Sequence, residues 1–169
     1  MQPFSWKNLF GTKSERVERR KRPRSNADPN ATVLIVDDSR TVVHAIKIML
    51  EQGRYRTLEA IDAEGGIEMA KMYQPDMIIM DILMPGLNGF QATRILRKDP
   101  LTRAIPIVII SGSEQATEQY WSLRLGANDF IAKPIRRGEL FQKVERHLAQ
   151  REQAVPGTTT AASPLGTGL

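Results

Sequence analysis

Five polar side chains each lie at the end of an apolar run, and they carry the chemistry this chain could perform. Asp37 and Asp38 follow Val33-Leu34-Ile35-Val36, and Asp81 follows Met77-Ile78-Ile79-Met80. Ser111 follows Ile107-Val108-Ile109-Ile110, and Lys133 follows the short run Asp129 to Ala132. Three carboxylates brought together repel one another, so such a cluster is partly protonated or binds a cation. Oxygen-only ligands on a partly open site favour a hard ion that keeps its waters, and magnesium is the natural choice. A divalent ion, a lysine ammonium and a hydroxyl around one carboxylate form a pocket for an oxyanion. Phosphoryl transfer needs little more, because its catalysis is mostly positioning and charge neutralisation. Asp81 is the carboxylate in the middle, and a carboxylate nucleophile can form an aspartyl phosphate. Taken singly, each residue has an ordinary reading. Asp38 or Ser39 could cap a helix, Asp81 and Ser111 could be turn residues, and Lys133 could be a loop lysine. All of them together at successive strand ends outweigh those readings.

The elements that would position these groups are legible as well. Continuous apolar runs of four residues suit strands buried on both faces. Val43, Ile46, Met49 and Leu50 fall at helical spacing, and Gly53 stops that helix. A weaker strand, Arg56 to Ala60, precedes a helix carrying Ile67, Ala70 and Met72. Pro85, Gly86 and Gly89 form the loop after the third strand, and Phe90 to Leu96 is the next helix. A further helix is expected around Gln115 to Leu125, and Leu140, Val144 and Leu148 mark the last. Five strands alternating with five helices predict a parallel sheet covered on both faces, with right-handed crossovers. In either common doubly wound order the first and third strands are neighbours about 4.8 Å apart. The carboxylates then converge where ligands sit in such folds, outside the carboxyl ends of the strands. Apolar stripes and most methionines are assigned to the core. His44 and His147 are read as surface or cap residues.

The 169 residues, 41% hydrophobic and 25% charged, suit one soluble globular domain with an appendage. No apolar run approaches the roughly eighteen residues of a transmembrane helix, and Met1 to Thr12 lacks a signal-peptide core. Without cysteine, disulfides, thiolate metal centres and thiol catalysis are excluded. That absence fits a reducing cytoplasm, the expected location. The net charge of +5 is confined to residues 1–30, which hold eight Lys/Arg against three acids; the remaining sixteen of each cancel. The expected organisation is a basic, disordered arm over 1–30, a domain over 31–151, and a disordered tail over 152–169.

The segment from Thr32 to Leu148 resembles the receiver domain of bacterial two-component response regulators. The motifs that carry the resemblance are Val36-Asp37-Asp38-Ser39, Met80-Asp81-Ile82-Leu83-Met84-Pro85-Gly86, Ile110-Ser111-Gly112 and Ala132-Lys133-Pro134. The resemblance implies a flavodoxin-like (CheY-like) α/β fold and a phosphoryl group accepted by Asp81 from a kinase phosphohistidine. It implies a magnesium ion ligated by Asp38, Asp81 and the Leu83 backbone carbonyl, with Asp37 acting through water. Ser111 would bond the phosphoryl group, Lys133 would pair with it, and Phe130 would be the aromatic switch. The Lys133–Pro134 peptide would be cis. Such a protein is not a true enzyme, since it only accepts phosphoryl and dephosphorylates itself. Gly89 to Arg94 and Tyr120-Trp121 are similar to the stand-alone receivers that govern type IV pilus twitching motility. A chemotaxis-type receiver or a phosphate sink is the alternative within the family.

Three other classes fit less well. Two carboxylates after the first strand would repel the phosphate of a flavodoxin-type cofactor, and the G-x-G-x-x-G of a dinucleotide binder is absent. A haloacid dehalogenase-type phosphohydrolase puts a D-x-D pattern at its first strand, where this chain has adjacent Asp37-Asp38. The residues after the last helix are too few for a DNA-binding output domain, so the expected partners are a histidine kinase and a target protein. The target surface implied by the family is the fourth helix, fifth strand and fifth helix, with Tyr120, Trp121, Phe130, Arg136 and Phe141 there or nearby. In the arm, Phe4, Trp6, Leu9 and Phe10 precede Lys13, Arg16, Arg19, Arg20, Lys21, Arg22 and Arg24. That segment could lie on an anionic membrane surface or dock onto an acidic partner.

Overall fold

A computed structural model of the chain describes residues 30–112 and 123–154. The elements are β1 (Thr32–Val36), α1 (Arg40–Gln52), β2 (Arg56–Ala60), α2 (Ala63–Tyr73), β3 (Met77–Asp81) and α3 (Gly89–Lys98), then β4 (Ile107–Ser111), β5 (Asp129–Ala132) and α4 (Arg137–Ala154). The helix expected around Gln115 to Leu125 lies outside the described residues, except for helical Leu123-Arg124. The arm over 1–29, with Tyr120, Trp121 and the residues from 155 onward, lies outside them too.

The sheet order is β2-β1-β3-β4-β5, and every pairing is parallel. Val36 pairs with Met80, Asp81 with Ile110, and Ser111 with Ala132. That register brings the polar strand ends to one edge of the sheet. The apolar runs alternate between two cores. Leu34, Val36, Ile78, Met80, Ile107 and Ile109 pack towards α2 and α3. Val33, Ile35, Met77, Ile79, Val108 and Ile110 pack towards α1 and α4. Each such side chain contributes about 1.5–3 kcal/mol on leaving water, so a strand covered on both sides has no use for polar alternation.

Several local expectations need correction. Ile67 and Ala70 face the core, but Met72 is 72% exposed, so the stripe on α2 is narrower than the spacing suggested. His147 is not a surface residue: it is buried, and its Nε2 lies 3.0 Å from Asp129 Oδ2. Gly53 does end α1, although not through a left-handed conformation, since its φ is −85° and the positive φ falls on Arg54. A Cβ at this position would stand 2.3 Å from Phe141 Cε1, so a larger residue would have to displace that ring. Phe141 thereby belongs to the corner between α1 and β2, beside Tyr55 and under the Arg137 guanidinium.

Candidate functional site

Asp37, just beyond β1, and Asp81, the last residue of β3, are buried, whereas Asp38 is exposed. A carboxylate oxygen from each of the three lies within 4.8 Å of the others. Their convergence follows from the adjacency of β1 and β3. From the far side Lys133 reaches over β4, and its Nζ lies 2.9 Å from Asp37 Oδ2 and 2.8 Å from Asp81 Oδ1. Ser111 is fully buried at the end of β4, where its carbonyl accepts the Lys133 amide at 2.7 Å. The Lys133–Pro134 peptide bond is cis. Phe130 is buried on β5, packed in the core on the α2–α3 side.

The charges are held in tension. Burial is the largest influence on Asp81 and pushes its carboxyl above the usual range, aided by the Asp37 charge. The Lys133 hydrogen bond and the Leu83 backbone amide act in the opposite sense. For Lys133, desolvation is the largest single influence and lowers its pKa, yet the hydrogen bonds to Asp81 and Asp37 and the charges of those carboxylates together outweigh it, so the net displacement is upward. A partly buried ammonium clamped between two buried carboxylates is thus firmly charged. The donor set fits a hard divalent cation: oxygen only, three carboxylates, one of them open to water.

Local structure fixes the loop that carries Leu83. Ile82 donates its amide to the Ile110 carbonyl at 3.1 Å and accepts the Gly89 amide at 3.0 Å. A Cβ on Gly89 would come within 2.0 Å of the Asp81 carbonyl oxygen. Gly89 is therefore what lets α3 start directly against the backbone of Asp81, a role that sequence reading missed by treating it as a loop former. The capping reading of Ser39 fails, since its side chain makes no cap bond; instead its amide donates to Asp37 Oδ1 at 2.8 Å. Leu83 is 68% exposed beside the acidic trio.

Comparison with known proteins places this geometry. The response regulator receiver domain family matches residues 33–145. Protein PilH of Pseudomonas aeruginosa is 43% identical over 119 residues, which cover 70% of this chain and 98% of that protein. Response regulator PleD of Caulobacter vibrioides is 36% identical over 115 residues, 68% of this chain but only 25% of the relative. A solved response regulator structure from Chloroflexus aurantiacus superposes with a TM-score of 0.69 at 32% identity, covering 71% of this chain and 98% of its own. The receiver domain of a sensor histidine kinase from Pseudomonas aeruginosa, with magnesium coordinated in its active-site cleft, has a TM-score of 0.65 at 29% identity, covering 72% and 98%. With its CheY-like sheet and the acidic trio at the strand ends, this chain belongs to the response regulator receiver domain family.

Proposed function

We propose that this protein is a response regulator whose receiver domain accepts a phosphoryl group from a histidine kinase on Asp81 and signals through contact with another protein. The observation that carries the reading is the Lys133 ammonium bound at once to Asp37 and Asp81 inside the acidic trio. Lys133 holds Asp81 Oδ1, which leaves the other carboxylate oxygen to attack phosphorus. A P–O bond forms, the P–N bond of the phosphohistidine breaks, and the electron pair returns to the imidazole nitrogen. Asp38, Asp81 and the Leu83 carbonyl would hold a magnesium ion, with Asp37 acting through water. The ion would supply the positive charge that offsets the phosphoryl oxygens. The Ser111 hydroxyl would bond one of those oxygens, and Phe130 would carry the change into the β5 surface. We assign the receiver to residues 31–151 and treat 1–30 and 152–169 as appendages. The same reading puts the protein in the cytoplasm, and no helix among the described residues is long and apolar enough to cross a membrane. A role in type IV pilus twitching motility is supported by the likeness to protein PilH.

The test is incorporation of label from a phosphorylated histidine kinase or from phosphoramidate. Wild type should take up acid-stable, base-labile label, and Asp81→Asn should take up none while remaining folded. Undiminished uptake by Asp81→Asn would overturn the assignment. Rapid turnover of an external phosphomonoester would instead favour a phosphohydrolase.

A further inference from the structure

A groove of about 200 Å³ opens between α1 and the turn that follows β5, lined by Val42, Ala45, Met49, Pro134, Ile135 and the stem of Lys133. Apart from that lysine and one threonine, its walls are apolar. Small-molecule sites usually enclose about 300–1,000 Å³, so this groove suits a single large side chain better than a free ligand. Ile48, 42% exposed on α1, adds an apolar residue to the same helix.

The chain itself holds a segment of matching chemistry. Phe4, Trp6, Leu9 and Phe10 fall within its first ten residues, and nothing in the receiver reading uses them. The path from that segment enters the domain at the start of β1, about the length of that five-residue strand, ~17 Å, from the sheet edge that carries the Lys133–Pro134 wall of the groove. The Asn30 carbonyl accepts from Arg56 Nε at 3.0 Å, and the Ala31 carbonyl from the Arg56 amide at 3.0 Å. Arg56 opens β2 just after α1 ends at Gln52, so the arm joins the domain at the C-terminal end of α1. Ala45 lies about 10 Å back along the helix at about 1.5 Å per residue. A chain the length of Gly11 to Pro29 reaches about 63 Å fully extended and spans about 25 Å on average as a coil. A tether whose average span exceeds the gap of about 10–17 Å reaches the groove without strain and gives an effective concentration of about 1 mM. Weak apolar docking is then enough.

We propose that the groove between α1 and the Lys133–Pro134–Ile135 turn is the intramolecular docking site for the segment Phe4 to Phe10, with the Trp6 ring seated against Ala45 and Pro134. The inference goes beyond phosphoryl acceptance and stands whether or not Asp81 is the acceptor. At an effective concentration of about 1 mM, a segment with an intrinsic Kd of about 0.5 mM occupies its groove about two thirds of the time.

The experiment uses the full chain carrying Trp121→Phe, which leaves Trp6 as the only tryptophan of the two in the sequence. Acrylamide quenching of Trp6 is measured in that protein and in the same protein with Ala45→Arg or Ala45→Glu added. Ala45 is an exposed helix position, and an unchanged far-ultraviolet circular dichroism spectrum verifies the fold. The quenching constant should rise about threefold in both groove variants, as expected if about two thirds of the population is released. It should change little at high salt, because apolar contact is not screened. Equal quenching in all three proteins would overturn the proposal. So would shielding that grows with protein concentration, which would make a second copy the occupant. Shielding lost with Ala45→Glu but kept with Ala45→Arg would also overturn it, since the contact would then be one of charge.

Discussion

At the scale of single residues, the acidic trio sets burial against charge. Asp81 is pushed towards its neutral form by burial and by Asp37, with Lys133 holding it back. A divalent cation bound to the native trio adds charge of the missing sign, and binding to the folded state alone stabilises it. At a concentration a hundred times Kd, that linkage amounts to about 2.7 kcal/mol. Magnesium should therefore raise Tm. The rise should largely vanish in Asp38→Ala, which removes an exposed ligand and leaves the core intact. An equal rise in both proteins, followed by scanning calorimetry, would mean that the ion binds elsewhere. Gly89 supplies a second residue-level test. Its replacement by alanine places a methyl group 2.0 Å from the Asp81 carbonyl oxygen, a backbone atom that cannot swing away. Overpacking of this kind costs about 1–3 kcal/mol, so Gly89→Ala should lower the urea midpoint by that equivalent; an unchanged midpoint would show that α3 shifts freely.

Among the elements, α3 is fixed at both ends. Asn88 and Gln91 form a reciprocal capping box at its start. Near its end the Arg97 guanidinium donates to the carbonyls of Gly126 and Ile105 at 2.6 and 2.8 Å, to that of Arg103 at 3.1 Å, and to Asn128 Oδ1 at 2.6 Å. These acceptors belong to the segments leading into β4 and β5, so one side chain ties α3 to two strands. Burial lowers the Arg97 pKa, and these four acceptors are neutral carbonyl and amide oxygens. Arg97→Met keeps the bulk and leaves those oxygens short of a donor, which should cost about 3 kcal/mol. A loss below about 0.5 kcal/mol, typical of a surface substitution, would mean that water replaces the guanidinium. The ties made by Arg97 were not legible in the sequence, because its partners lie up to 31 residues away and are mostly backbone. The strands were legible because burial on both faces writes an uninterrupted apolar run. The candidate site was legible because four of those runs each end in a polar residue. Met72 misled because spacing alone gives no width for the buried stripe of α2. Gly53 and Gly89 were read as breakers, whereas the packing sets Gly53 against the Phe141 ring and needs Gly89 for the close approach of α3 to the Asp81 backbone.

For the molecule as a whole, the sheet separates two cores, and α4 closes one of them through a polar cluster at its inner face. Asp129, at the start of β5, contacts Lys143 Nζ at 3.1 Å, the Arg146 guanidinium, and His147 Nε2 at 3.0 Å. Two full cations already offset that carboxylate, so a third positive charge on His147 would be in surplus. Burial, the largest influence, and the charge of neighbouring Arg146 hold the His147 pKa below its ordinary 6.5, against a raising hydrogen bond that the ring makes to Gln150. The folded protein therefore binds fewer protons at this ring than the unfolded chain does, and stability must fall as pH falls. The contribution is fully present above the unfolded value of 6.5 and is lost as pH drops through the lower folded value. Urea midpoints should accordingly decline as the solution is acidified from about pH 7.5 to about pH 5.5, a range above the bulk of carboxylate titration. His147→Gln keeps a side-chain donor near Asp129 but has no proton to gain, so its midpoint should vary less across that range. Parallel declines in the two proteins would show that the pH dependence arises from groups other than His147.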